Sequence, residues 1–188
     1  MKTIVFFGDS LTAGYGLKDP LTESLPARIK QILKREGFDH LVINAGMSGD
    51  TSTSGLNRLP VILEMDTDIF VLELGANDFL RGHPATLVNN NLQKIISQVK
   101  EKQPQADILI LGMRLPSWIP DDRALGYRNI YRDLATRNNC ELLPYLLDGI
   151  EGKKHLNMYD GVHPLAEGYK IMADNVWPNL KAIIGKRK

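Results

Sequence analysis

The chain has 188 residues, 43 % of them apolar and 24 % charged, with a formal charge of +1. That length suits a single domain (1–188) with a sizeable core, and so even a charge balance excludes steering toward nucleic acid or an anionic membrane. One cysteine, Cys140, excludes an intramolecular disulfide and a cysteine metal cluster, and no apolar run approaches the ~20 residues that span a bilayer.

Along the chain, short apolar runs alternate with longer amphipathic stretches. Thr3–Phe7, Leu41–Asn44, Ile69–Leu74, Ile108–Leu111 and the weaker Glu141–Leu143 are too short for helices. Such runs suit strands buried on both faces. Between them lie stripes at helical spacing: Leu25, Ile29, Ile32 and Leu33; then Leu92, Ile95, Ile96 and Val99. Ile130, Tyr131 and Leu134 form a third, and Ile171, Met172, Val176, Leu180 and Ile183 the last. Strand–helix alternation repeated about five times predicts a parallel five-stranded sheet inside a three-layer α/β/α sandwich. Ligands of such sheets bind beyond the carboxyl ends of the strands, so the residues following each strand carry the chemistry.

After the first run comes Gly8-Asp9-Ser10-Leu11-Thr12-Ala13-Gly14-Tyr15-Gly16, which has neither dinucleotide-binding nor P-loop spacing. Ser10 there reads as a cleft-facing hydroxyl or as a turn or helix cap. After the second run, Asn44-Ala45-Gly46 lets a backbone N–H point into the cleft, while Asp50 to Ser52 reads as a helix cap. After the third, Gly75-Ala76-Asn77-Asp78 offers the Asn77 amide as an oxyanion donor or as an Asx-turn. Near the end, Asp160-Gly161-Val162-His163-Pro164 sets a carboxylate three residues before a histidine, able to fix its tautomer. The alternative is a turn aspartate and a surface histidine ahead of a helix opened by Pro164. His40 reads as a strand start, His155 as polar loop, His83 as loop or cleft, and Cys140 as a small core residue.

Gly8-Asp9-Ser10-Leu11, Gly46, Gly75-Ala76-Asn77-Asp78 and Asp160-Gly161-Val162-His163-Pro164 resemble, in order and spacing, the four blocks of the GDSL or SGNH hydrolases. The resemblance covers nearly the whole chain. It extends to the bacterial thioesterase I, lysophospholipase and arylesterase branch through Gly14-Tyr15-Gly16, Ser48-Gly49-Asp50-Thr51, Leu80-Arg81-Gly82 and Met113-Arg114-Leu115-Pro116. It implies a flavodoxin-like sheet, no metal or cofactor, Ser10 as nucleophile, His163 as base and Asp160 as its orienter. The Ser10 and Gly46 backbone N–H groups and the Asn77 side chain would form the oxyanion hole. Leu11, Phe79, Leu80, Met113, Leu115, Pro116, Trp118 and Ile119 are candidates for an apolar acyl groove. The expected activity is hydrolysis of small-molecule esters and thioesters, with a carbohydrate acetylesterase or a non-catalytic binding module as alternatives. As written the chain reads as soluble and cytoplasmic, or as periplasmic or secreted had a leader been removed.

Overall fold

The computed structural model describes residues 1–115, 119 and 124–186. Five strands form one sheet: β1 (Lys2–Gly8), β2 (His40–Gly46), β3 (Ile69–Glu73), β4 (Asp107–Leu111) and β5 (Glu141–Leu143). Every pairing is parallel and the spatial order is β2-β1-β3-β4-β5. This is the flavodoxin-like doubly wound order, in which the chain leaves β1 first to one side and then to the other.

Successive side chains of a strand point to opposite faces, and each face here has its own apolar layer. Ile4, Phe6, Ile69, Val71 and Leu109 pack on helices α3 (Leu25–Arg35) and α8 (Ala166–Lys186) through Leu25, Ile29, Met172 and Val176. Val5, Phe7, Phe70, Leu72 and Ile108 pack on α4 (Ser52–Ile62), α6 (Ala85–Lys102) and α7 (Ile130–Asn138) through Leu59, Leu92, Ile95 and Leu134. The four apolar stripes of the sequence therefore lie on α3, α6, α7 and α8. Among the described residues no helix is long and apolar enough to cross a membrane.

One expectation changes. The strands are not all buried on both faces: β1 and β3 are, whereas β2 and β5 are only partly covered, because they are the sheet edges. Helix α4, beginning where Asp50 to Ser52 read as a cap, carries no clear apolar stripe, with Gly55 and Pro60 inside it. It is started by a capping box at Thr51: Ser54 N–H donates to Thr51 Oγ1 (3.2 Å) and Thr51 N–H to Ser54 Oγ (2.8 Å). The short helices α1 (Ser10–Ala13), α2 (Pro20–Glu23) and α5 (Ala76–Leu80) complete the order, α1 and α5 standing at the carboxyl edge of the sheet.

Candidate active site

Ser10 opens α1 directly beyond β1 and is 8 % exposed. Asp9 caps that turn, its Oδ1 accepting the Leu11 N–H at 3.0 Å. The Ser10 carbonyl accepts from Gly14 N (3.0 Å), Tyr15 N (3.1 Å) and the Tyr169 hydroxyl (3.4 Å). The Ser10 turn is thus closed by the left-handed Gly14 (φ 85°) and anchored to α8.

The Asp160–His163 segment arrives from the other end of the chain. Its base is an antiparallel bridge between Asn157 and Pro164, so Pro164 does not open the following helix, which begins at Ala166. Asp160 Oδ1 accepts the backbone N–H groups of Val162 (2.9 Å) and His163 (3.0 Å), and Oδ2 lies 2.7 Å from His163 Nδ1. The His163 N–H and imidazole, with the Val162 N–H, hold the Asp160 carboxyl down at about 2. The other ring nitrogen, His163 Nε2, stands 2.9 Å from Ser10 Oγ. Residues 153 positions apart are joined in one chain of hydrogen bonds, Ser10–His163–Asp160.

Gly46 ends β2 against α1. A Cβ at Gly46 would meet the Thr12 carbonyl carbon at 2.7 Å and Ala13 Cα at 2.8 Å, so only glycine permits this approach. Its N–H donates to Asn44 Oδ1 (3.0 Å). Asn77 lies in α5 and is not an Asx-turn; its amide donates to Asp9 Oδ2 (3.1 Å) and to the Asp50 carbonyl (3.0 Å). Asp50 itself is fixed by Arg58 Nε (2.5 Å) and Ser54 Oγ (2.8 Å), while the Arg58 guanidinium lies 4.0 Å over the Phe7 ring and reaches the Gly8 carbonyl (3.0 Å).

Under the Ser10 turn lies a buried acid that the sequence did not single out. Glu73, the last residue of β3, accepts the Asp9 N–H (3.1 Å) and the Thr12 hydroxyl (2.9 Å) on Oε2. Burial and then the Asp9 charge push the Glu73 carboxyl well above the ordinary range, and burial also raises Asp9. Each carboxyl therefore disfavours ionisation of the other. Asp78 was likewise missed in its role. It accepts Ser52 N (2.6 Å) and Ser52 Oγ (2.8 Å), tying α5 to α4, and pairs with His83 Nδ1 at 3.1 Å. His83 is therefore held by Asp78 rather than by Ser10 or His163.

These features meet at the carboxyl edge of the sheet, and comparison with known proteins states what lineage carries them. Residues 6–171 match the GDSL-like Lipase/Acylhydrolase family. The chain belongs to that family. It is 36 % identical over 176 residues to the arylesterase of Vibrio mimicus, covering 93 % of this chain and 86 % of that one. It is 32 % identical over 183 residues to thioesterase 1/protease 1/lysophospholipase L1 of Escherichia coli K12, covering 97 % and 85 %. The crystal structure of TesA superposes with a TM-score of 0.90 at 34 % identity, over 97 % of this chain and 99 % of that one. This GDSL hydrolase is accordingly an enzyme that cleaves ester bonds, built on the α/β/α sandwich of its relatives.

In this GDSL hydrolase a groove of about 400 Å³ runs from the Ser10 turn along the sheet edge. Leu11, Phe79, Leu80, Met113, Leu115 and Ile119 line it, together with Gly161 and Val162 beside the histidine. Pro116 and Trp118 lie outside the described residues. Cys140, just before β5, is half-buried, and burial raises its thiol, which disfavours the thiolate. Among the described residues there is no group of three or more His, Cys, Asp or Glu arranged to hold a metal ion.

Proposed function

We propose that the protein is a serine esterase and thioesterase that works through an acyl-enzyme on Ser10. The observation that carries the reading is the Ser10–His163–Asp160 chain, at 2.9 and 2.7 Å, beside a largely apolar groove that Leu11, Asp160 and Val162 help to line. His163 Nε2 takes the Ser10 proton as Oγ attacks the ester carbonyl, and then gives it to the departing alcohol or thiol as the C–O or C–S bond breaks. Water loses a proton to the same nitrogen, attacks the acyl-enzyme, and Ser10 leaves with that proton. Asp160, held as an anion, keeps Nδ1 protonated and stabilises the imidazolium.

The oxyanion of each tetrahedral intermediate is received by the Ser10 and Gly46 N–H groups and the Asn77 amide. In the free enzyme the last two donate to Asn44 and to Asp9 and Asp50. They exchange one of these partners for the oxyanion, so their contribution appears mainly in the transition state, where it raises kcat.

The groove supports acyl chains rather than acetyl alone. Each buried methylene contributes ~0.8 kcal/mol, or roughly fourfold in kcat/KM. Hydrolysis of p-nitrophenyl esters from acetyl to palmitoyl, and of an acyl thioester, tests this with Ser10→Ala alongside. Turnover that climbs to medium chains and vanishes in Ser10→Ala is expected. Turnover of acetyl esters alone contradicts the groove assignment, and undiminished turnover in Ser10→Ala contradicts the nucleophile.

A further inference from the structure

The Ser10–His163–Asp160 reading leaves one neighbour of the base without a role. Tyr15 is half exposed, yet its ring lies against the His163 imidazole, with ring centroids 4.7 Å apart and planes inclined by 49°. The contact is built by the chain on both sides. Tyr15 N–H donates to the Ser10 carbonyl at 3.1 Å, so the tyrosine belongs to the same turn as the nucleophile.

Gly14 and Gly16 flank it with φ of 85° and 74°, conformations that L side chains rarely adopt. Gly16 packs on the base-bearing segment: a Cβ there would meet Met158 Sδ and Cε at 2.6 Å. Met158 in turn donates its N–H to the His163 carbonyl at 2.7 Å. One glycine-flanked turn therefore touches both the serine and the histidine segment, and places an aromatic face on the ring that must become charged.

We propose that Tyr15 is a positioning residue for the catalytic base. Its ring holds the imidazole in line with Ser10 Oγ and stabilises the imidazolium formed when His163 takes the serine proton. Three other groups act on that ring or its charge: Asp160 on Nδ1, Ser10 on Nε2 and, through space, the buried Asp9. Tyr15, half exposed, packs its ring against the imidazole with the planes tilted, and an aromatic ring attracts a cation more than a neutral ring. The effect is thus larger in the transition state than in the resting enzyme. The hydroxyl is not needed for this; the π face is.

The inference rests on the serine-hydrolase reading, and the test separates the two. Wild type, Ser10→Ala, Tyr15→Phe, Tyr15→Leu and Tyr15→Ala are compared for kcat and KM on a p-nitrophenyl acetate or butyrate substrate. Their rates of inactivation by a small fluorophosphonate and their Tm values are measured in parallel. The expected result is Tyr15→Phe within about twofold of wild type. Tyr15→Leu and Tyr15→Ala should lose about 2- to 30-fold in both kcat and inactivation rate, with KM and Tm little changed. Leucine keeps apolar bulk without a π face, so it separates ring stabilisation from filling space. Tyr15→Leu as active as Tyr15→Phe would overturn the proposal. So would Tyr15→Phe falling with Tyr15→Leu, which would transfer the role to the hydroxyl. A wild type that turns over no ester, or an active Ser10→Ala, would instead overturn the hydrolase reading itself.

Discussion

Adding one methyl group at Gly46 perturbs the site without removing any proposed hydrogen-bond donor. The Gly46→Ala Cβ would stand 2.7 Å from the Thr12 carbonyl carbon and 2.8 Å from Ala13 Cα, and closer still to Ala13 N. All three are backbone atoms of the turn that carries Ser10, so no side-chain rotation relieves the overlap. Comfortable carbon contacts need about 3.5–4.0 Å, which means a separation of roughly 1 Å between β2 and α1. Overpacking of this kind costs about 1–3 kcal/mol, lowering Tm by roughly 2–10 °C in a domain of this size. Moving Ser10 Oγ about 1 Å from His163 should, on the proposed mechanism, cost on the order of 100-fold in kcat. Thermal unfolding followed by circular dichroism, with p-nitrophenyl butyrate hydrolysis below the transition, measures both. The alanine N–H is retained, so the loss reports displacement and not a missing donor. A variant with Tm within about a degree of wild type and kcat within twofold would refute the argument that close approach of β2 and α1 sets the Ser10 geometry.

Asp160→Asn should lower kcat by roughly 10³–10⁴, since the amide no longer dictates the imidazole tautomer. Folding lowers the Asp160 carboxyl from 3.8 to about 2, so the stability it contributes is present above pH ~4 and is lost as pH falls toward 2. Urea unfolding of wild type and Asp160→Asn should therefore differ by a constant amount above pH ~4 and converge below it. Folding raises Glu73 instead, so its contribution is present at low pH and is lost as pH rises through its folded value. Glu73→Gln, which cannot ionise, should keep the bonds to Asp9 N and Thr12 and lose less stability than wild type as pH rises above the ordinary carboxylate range. Glu73→Ala should cost about 3 kcal/mol at low pH, because two buried donors lose their acceptor, and less as pH rises. Asn77→Ala should reduce kcat roughly 10²–10³-fold with KM little changed; an unchanged kcat would remove the amide from the oxyanion hole.

The sheet was legible because β1, β3 and β4 are short apolar runs, and parallel strands covered on both faces show that pattern. Burial of β2 was overestimated because sequence alone does not say which strand takes the edge. Helix α4 was signalled only by the cap read at Asp50 to Ser52, because helical stripes measure core contact and this helix presents mainly Gly55 and Leu59 to the core. The Asp160–His163 pair was readable because both partners sit within one loop. The meeting of His163 with Ser10, 153 residues apart in sequence, was legible only as a convergence of loops beyond the strand ends, to which the resemblance added the roles. Glu73 escaped notice because it sits at the end of an otherwise apolar strand, where its partners Asp9 and Thr12 come from a different strand end. Residue-type patterns do not report such contacts between separate β-strand termini.

The central claim, that Ser10 is activated by His163, is tested most directly by mass spectrometry after reaction with a fluorophosphonate. The account predicts one phosphonate adduct per chain, on the peptide containing Ser10, with no adduct in Ser10→Ala and labelling at least 100-fold slower in His163→Ala. An adduct on another residue, or labelling of His163→Ala at the wild-type rate, would contradict it.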